Sequence, residues 1–474
     1  MFQKKYITIL MVFLSFLFFR VQSQNKVEKP NVLFISMDDL NDWSGYLGGH
    51  PDARTPNLDR LAKKSVSFTR AYCSAPCCNP SRVSLMTGIL PSSSGVYGNS
   101  QPFRKSRVLE NAITIPQYFM ENGYTAMGSG KIYHDPLPDP LSWDYYWPSL
   151  TLQLPVDPVP PENLLPLNGI PGTAWFDWGP LNVKNEEMGD WQVTDWVIDQ
   201  LQQKHENPFF LAYGLFRPHL PWFVPREYFD SFPENEISLP VINENDLDDV
   251  PEIGKRMANG KGDHAKVIKY NQYRKAVQGY LASINFSDAC LGRVLDALEN
   301  SPYKNNTIIV LWSDHGWHLG EKLHWRKFSL WEESTRSNLI IIAPGLTKAN
   351  TICEKTVSFI DIYPTLVELC GLPPKKELQG QSLVPLLKDL QTDWIRPALM
   401  THGFMNHALR TDRWRYIKYN DGSEELYDHE NDELEWTNLA GKEEYKPVIE
   451  ELRKWLPQEN EPPSRKVKHT PFYH

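Results

Sequence analysis

The sequence predicts an α/β fold: a large, mostly parallel sheet flanked by helices, with a small α+β subdomain at the C-terminal end. Three observations carry this prediction. Strand-like apolar runs alternate with stretches of helical period over most of the chain, the order of successive βαβ units. Charged or imidazole residues follow the ends of several of these runs, where ligands collect in open α/β sheets. Near residue 391 the pattern changes to short strands joined by polar turns.

The first buried strand is "NVLFISM", residues 31–37. "TPNLDRLAKKS" then opens a helix, with Thr55 as its cap and Pro56 at the first helical position. "TIPQYFMENG" repeats that start and closes on Gly123. "YTAMG" reads as a short strand, "DWQVTDWVIDQLQQK" as a helix and "PFFLAYGLF" (208–216) as a strand. A long helical pattern runs from about His264 to Asn300. "TIIVLW" (307–312) and "NLIIIA" (338–343) are further strands, and "YPTLVELCGL" is a helix. Residues 136–171 break this rhythm and are rich in Pro and aromatics. A loop of that length is usually functional, and its Trp and Tyr content predicts an ordered wall. After "GQSLVPLL" come the short strands, then the helix "YKPVIEELRKWL".

The chain has 474 residues, 41% hydrophobic and 23% charged, a composition normal for a globular enzyme. Its formal net charge is −9, with no dense basic run outside the termini. That argues against a nucleic-acid partner. An anionic substrate would need a local cationic pocket against this field. Lys4 and Lys5, the apolar run "YITILMVFLSFLFF" and Ser23 predict a signal peptide over residues 1–23, and so a secreted or periplasmic protein. The apolar run falls short of the ~20 residues of a spanning helix. No other stretch is apolar enough to span a bilayer, so no membrane span is expected after cleavage. The catalytic domain is expected over residues 24–390 and the C-terminal subdomain over 391–474. Six cysteines are too few for a disulfide scaffold in a chain this long. Cys73 with Cys77 is one possible pair in an oxidising compartment. Cys290 and Cys370 lie in apolar helical patterns and read as buried residues.

Asp38-Asp39 follow the first strand, Lys131 and His134 follow "YTAMG", His219 follows 208–216, and Asp314-His315 follow 307–312. Taken singly, each is an ordinary turn or surface residue. Together they send chemistry from four strand ends to one sheet edge. Three carboxylates and one imidazole suit a divalent cation: Ca²⁺, Mg²⁺ or Mn²⁺ by the oxygen donors, with a pull towards Mn²⁺ or Zn²⁺ from the imidazole. Arg82, Lys131, His134, His219 and Lys327 would surround an oxyanion. A metal and several cations around one small site suit phosphoryl or sulfuryl transfer. In "CCNPSRVSLMTG" (77–88), Pro80 lies at the start of a helix and Cys78 at its N-terminus. The helix dipole there favours anions and lowers a thiol's pKa. Arg82, four residues on, shares a face with Cys78.

Cys78-Asn79-Pro80-Ser81-Arg82 followed by "VSLMTG" resembles the signature of the type I sulfatases, Cys-x-Pro-Ser-Arg-x-x-x-x-Thr-Gly. The resemblance continues in "MDDLNDW", "GKIYHDP", "FFLAYGLFRPHLPW", "SDHGWHLGEKLHWRKFS" and "SFIDIYPTLVELCGL", over most of residues 30–375. Within the family it is strongest to the iduronate-2-sulfatases. It implies an alkaline-phosphatase-like fold. It implies that a maturation enzyme oxidises Cys78 to formylglycine (3-oxoalanine), whose hydrate is the nucleophile. It further implies that Asp38, Asp39, Asp314, His315 and the modified Cys78 hold Ca²⁺, with Mn²⁺ the lesser choice. Arg82 and Lys131 would stabilise the diol, Lys327 and His219 the sulfate oxygens, and His134 or His219 would protonate the leaving oxygen.

Two features depart from the common sulfatase pattern. Asp314-His315 stands where many sulfatases have Asp-Asn, and two residues rather than one separate Lys131 from His134. Both match the iduronate-2-sulfatase branch. The imidazole donor is also similar to that of phosphonate and phosphodiester hydrolases. The expected substrate is a sulfated sugar of a uronate-containing polysaccharide: a 2-O-sulfated uronic acid, or an algal polymer such as ulvan. The wall at 136–171 is expected to narrow the pocket and offer aromatic faces to the sugar. The competing readings are a phosphonate or phosphodiester hydrolase, and a carbohydrate-binding protein that is never matured. Cys77 has no role in this reading.

Overall fold

The computed structural model describes residues 29–467 apart from residue 174. The expected signal peptide lies outside the described residues. Eight strands form the path of the main sheet. In chain order they are β1 (Asn31–Met37), β2 (Val66–Tyr72), β3 (Thr125–Gly130), β4 (Tyr145–Trp147), β5 (Phe209–Leu215), β6 (Thr307–Ser313), β7 (Arg336–Ile342) and β8 (Thr351–Cys353). Their spatial order is β8-β2-β7-β6-β1-β5-β3-β4. β1 pairs in parallel with β5 and β6, and β5 with β3. β7 alone on this path runs against its neighbours, β2 and β6. The mostly parallel α/β architecture is the one the sequence predicts.

β1, β5 and β6 are buried along their whole length. That is why they read as continuous apolar runs rather than alternating ones. Alternation still decides which face each side chain joins. Leu33, Ile35 and Met37 enter the core shared with the helices Gly189–Gln202 and Tyr273–Glu299. Val32 and Phe34 enter the opposite core, with the helices Cys78–Thr87, Ile115–Glu121 and Ile362–Leu369.

Three details differ from the sequence reading. The long helical pattern is two helices, Asp263–Lys269 and Tyr273–Glu299. Asn271 breaks it with a φ of 52°, a left-handed conformation that Asn tolerates. β2 carries Ser67, Thr69 and Arg70 and so lacked an apolar-run signal. The Cys73–Cys77 pair is absent: both thiols are free and buried. Cys290 and Cys370 are buried as expected.

The C-terminal strands Ala398–Thr401, His407–Arg410, Trp414–Lys418 and Glu424–Asp428 form an antiparallel meander. Leu409, Tyr416 and Leu426 pack one face against Ile449 and Leu452 of the helix Lys446–Arg453. Met400, Ala408 and Ile417 pack the other against Leu330 and Trp331, just beyond Lys327. Beneath that contact Glu332, Glu435 and His429 could resemble a metal cluster. Arg415 and Arg410 already pair with Glu332, and Arg415 Nε lies 2.5 Å from Glu435. The cluster is an ionic lock that fixes the segment carrying Lys327.

Candidate active site

Except for Lys327, which follows the short strand Trp325–Arg326 of a separate two-stranded sheet, the residues predicted for the site lie within four residues of the carboxyl ends of the central parallel strands or on the helix that faces them. β1 ends at Met37, so Asp38 and Asp39 leave it together; Asp39 turns with a φ of 60°. Tyr280 fixes that turn: its hydroxyl donates to Asp39 O (2.7 Å) and accepts from Asn41 N (2.9 Å). β6 delivers Asp314 and His315, and β3 delivers Lys131. A Cβ on Gly214 of β5 would stand 2.5 Å from the Lys131 backbone, so only glycine lets these two strand ends approach.

Cys78 begins the helix Cys78–Thr87, whose residues are all buried. The two adjacent thiols face different partners. Cys77 is the extended residue before the helix, and its Sγ donates to Asn99 Oδ1 at 2.9 Å. Asn99 Oδ1 also accepts Asn79 N–H (3.0 Å), so it caps the helix from another loop. Cys78 Sγ instead lies 3.3 Å from His315 Nε2. Burial raises the Cys77 thiol's pKa, with Cys78 adding to it. Burial opposes ionisation of Cys78 too, but Lys327 and Lys131 outweigh it and lower its pKa.

Arg82 organises the carboxylates. Its Nη2 donates to Asp38 Oδ1 (2.9 Å), Nε to Asp314 Oδ2 (3.0 Å), and Nη1 to the carbonyls of Lys131 (2.7 Å) and Ile132 (3.0 Å). Lys131 Nζ donates to Asp38 Oδ2. Lys327 Nζ reaches both oxygens of Asp39, at 2.8 and 2.9 Å. Burial works against charge on Asp38, yet Lys131 and Arg82 hold its pKa well below the carboxylate range. Asp39 goes the other way: burial pushes its pKa up to about 7, with Lys327 opposing and Asp38 and Cys78 adding to the rise.

His315 Nε2 also lies 3.4 Å from Asp314 Oδ2 and 3.5 Å from Asp39 Oδ1. Burial lowers its pKa, but Asp314 and Cys78 raise it further, to about 9. One ligand atom each from Asp39, Cys78, Asp314 and His315 falls within a 4.8 Å cluster, and Asp38, Asp39 and His219 form an adjoining one. Asp39 belongs to both. Three buried carboxylates and an imidazole drawn to protonate among them fit a divalent cation, whose charge would replace that proton. His219 Nε2 stands 3.7 Å from Asp39 Oδ2, and its ring is a quarter exposed. His134 is half-buried, and its buried Nδ1 has no hydrogen-bond partner among the described residues. Burial, aided by Lys131, pushes its pKa down to about 3. Asp38, Asp39 and Asp314 thus face Arg82, Lys131 and Lys327 in equal number, so a bound divalent cation would leave the site positive towards an anion.

The expected aromatic wall is corrected in part: of its four aromatics, Tyr145 is 63% exposed and Trp147 half-buried, while the other two turn inward. Trp143 and Tyr146 are buried, packing on each other and, through Trp143, on Phe210. β4 adds this segment to the sheet edge, which turns those rings inward rather than towards a substrate. Asn99 and Tyr280 were missed by sequence reasoning. Each is an ordinary loop or helix residue whose role appears only once distant segments meet.

A family model described as Sulfatase matches residues 30–372, and one described as N-sulphoglucosamine sulphohydrolase, C-terminal, matches residues 320–461. A sulfatase from Formosa agariphila is 40% identical over 465 residues, covering 93% of this chain and 88% of the relative. Iduronate 2-sulfatase from Mus musculus is 32% identical over 400 residues, covering 74% and 70%. Among solved structures, BT4656 in complex with its substrate D-glucosamine-2-N, 6-O-disulfate aligns with a TM-score of 0.72 at 23% identity, covering 90% of this chain and 96% of that one. The phosphonate monoester hydrolase of Silicibacter pomeroyi aligns with a TM-score of 0.73 at 23% identity, covering 90% and 94%. At that identity these likenesses concern the fold, which hosts more than one ester chemistry.

Proposed function

Because the chain belongs to the sulfatase family and is a sulfuric ester hydrolase, we propose that it removes sulfate from a sugar of a uronate-containing oligosaccharide, with Cys78 matured to formylglycine. The observation that carries this is the placement of Cys78. It stands at a helix N-terminus, 3.3 Å from His315 and under the influence of Lys327 and Lys131, while Cys77 is held away by Asn99. The iduronate 2-sulfatase relative supports the uronate part of the reading.

In this mechanism one hydroxyl of the hydrated Cys78 aldehyde attacks sulfur and the sugar oxygen leaves. His134 or His219 gives that oxygen its proton, the bound sulfate's negative charge offsetting the burial and the lysines that otherwise keep both imidazoles neutral. Loss of the proton from the second hydroxyl then re-forms the aldehyde and expels sulfate. A serine or unmodified cysteine has no second hydroxyl for that elimination. Arg82 and Lys131 orient the diol and its neighbouring carboxylates, and Lys327 and His219 hold the sulfate oxygens. Asp38, Asp39, Asp314 and His315 would hold the divalent cation, Ca²⁺ by the weight of oxygen donors, which supplies positive charge beside the reacting oxyanion.

The test is sulfate release from 2-O-sulfated uronate oligosaccharides and from ulvan oligosaccharides, run beside an aryl sulfate and a phosphodiester. The reading expects the sulfated sugars to be turned over best. A phosphodiester or phosphonate turned over faster than every sulfate would overturn it.

A further inference from the structure

Four of the nine non-glycine residues with left-handed backbone among the described residues lie in the short segment 322–328: Lys322 at φ 55°, Leu323 at 49°, Arg326 at 78° and Phe328 at 79°. Bulky side chains take such angles at an energetic cost, and the strain persists only where surrounding contacts over-determine it. Lys327, whose ammonium reaches both oxygens of Asp39, lies inside this segment. Every second residue of the segment is tied to a different part of the fold. Lys322 Nζ donates to Asp246 Oδ1 at 2.7 Å, and Arg326 Nε to Asp263 Oδ2 at 2.6 Å. Phe328 N–H donates to Pro76 O at 3.1 Å, just ahead of the two cysteines.

The fourth tie is the buried His324, whose ring bridges two carbonyls. Nδ1 lies 2.7 Å from Ala258 O and Nε2 lies 2.8 Å from Lys327 O. His324 thereby grips the backbone of Lys327 itself. Ala258 belongs to the helix Glu252–Asn259. That helix lies so close to the C-terminal meander that a Cβ on its Gly254 would stand 2.9 Å from Glu425 Oε1 and from Tyr419 Oη. The imidazole therefore joins Lys327 to a helix that rests on the C-terminal sheet. Its own ring is packed by His318, with 4.9 Å between the ring centres. Carbonyl oxygens only accept, so the contact with Lys327 O calls for a proton on Nε2. At its other end Lys327 meets Asp39, and its ammonium lies 4.9 Å from the centre of the Trp317 ring. The lysine is thus fixed both at its carbonyl and at its ammonium.

We propose that His324 is a positioning residue: by donating Nε2–H to Lys327 O it sets where the Lys327 ammonium stands at Asp39, and so how Lys327 meets the sulfate oxygens. The last of these steps rests on the sulfatase reading above; the placing of Lys327 does not.

The experiment compares His324→Gln with His324→Asn in the whole chain. The amide nitrogen of glutamine falls near the position of imidazole Nε2 and can still donate to Lys327 O, whereas that of asparagine falls near Nδ1 and can reach only Ala258 O. The measurements are kcat and KM for an aryl sulfate, the inhibition constant of inorganic sulfate, and crystal structures of the wild type and both variants. His324→Asn is expected to lower kcat/KM and to weaken sulfate inhibition, each on the order of tenfold, the scale of one displaced hydrogen bond. Its crystal structure should show Lys327 Nζ drawn away from Asp39. His324→Gln is expected to keep both constants within about twofold of the wild type and Lys327 in place. Should His324→Asn fail to fold, His324→Phe, which keeps the bulk of a ring and loses both donors, takes its place. Equal constants for the donor-keeping and donor-lacking variants, or Lys327 Nζ still on Asp39 in the donor-lacking one, overturn the proposal, whatever the melting temperatures do. Absence of sulfate release from any ester by the wild type would instead overturn the sulfatase reading, and the position of Lys327 in the crystal structures still decides whether His324 sets it.

Discussion

Cys78 Sγ lies 3.3 Å from His315 Nε2, while the thiol one residue earlier, on Cys77, donates to Asn99 Oδ1 at 2.9 Å. In the proposed mechanism the peptide bond between them separates the reacting residue from the scaffold. Cys77→Ala is therefore expected to keep most of the activity, because it removes one hydrogen bond worth about 1 kcal/mol. Cys78→Ala is expected to lose all sulfate release while its thermal transition stays near the wild type. A dead Cys77→Ala beside an active Cys78→Ala contradicts the assignment.

Asp39 joins the two clusters of metal-donor atoms and also receives Lys327. Asp39→Asn keeps the shape but removes a charged donor. Its bound metal, measured by elemental analysis, should fall, and kcat/KM with it by on the order of a hundredfold or more. Fully active wild-type protein that contains no metal ion would show the cluster is not a metal site.

Asn99 accepts from both Cys77 Sγ and Asn79 N–H, and its loop is tied to the C-terminal segment through Gln101 Nε2 to Ser464 O at 2.8 Å. Asn99→Ala should cost about 1–2 kcal/mol of stability, the scale of a lost helix cap. It should also lower kcat more than it raises KM, since it loosens the start of the helix that carries Cys78. An unchanged kcat with a lowered melting temperature would reduce Asn99 to a stability residue.

Asp190 holds the turn that carries His219, accepting Phe216 N–H at 2.7 Å and Arg217 N–H at 2.8 Å. Burial raises its pKa to about 7, with Asp157 adding and Arg217 opposing. The folded state thus holds this proton where the unfolded chain, near the ordinary aspartate value, has lost it. Its contribution to stability is full below the unfolded pKa and is lost as pH rises through about 7. Urea unfolding between pH 5 and 8 should show a term of this sign, on the order of 1 kcal/mol per pH unit at most. Asp190→Asn should flatten it. Equal slopes in the two proteins would contradict the reading.

The central architecture was legible because parallel strands buried on both faces announce themselves as apolar runs, and their carboxyl ends mark where to look. Asp38, Lys131, His219 and Asp314 are each found one to four residues past such a strand. β2 was not legible: with Ser67, Thr69 and Arg70 it has no run, and only its pairing with β7 and β8 makes it a strand. The rings of Trp143 and Tyr146 misled because composition cannot tell an aromatic wall facing solvent from one folded under a sheet edge. The cap from Asn99 and the grip of Tyr280 on Asp39 both join segments far apart in the chain, which no local pattern records.

The claim on which the account stands is that Cys78 acts as an aldehyde. Cleavage after Arg70 and Arg82 isolates residues 71–82, which contain Cys73, Cys77 and Cys78. The decisive measurement is the fragment-ion mass of that peptide from protein that is turning over a sulfate ester. The account predicts an aldehyde in place of the thiol at Cys78, with Cys73 and Cys77 unchanged. An intact thiol at Cys78 in fully active protein would contradict it.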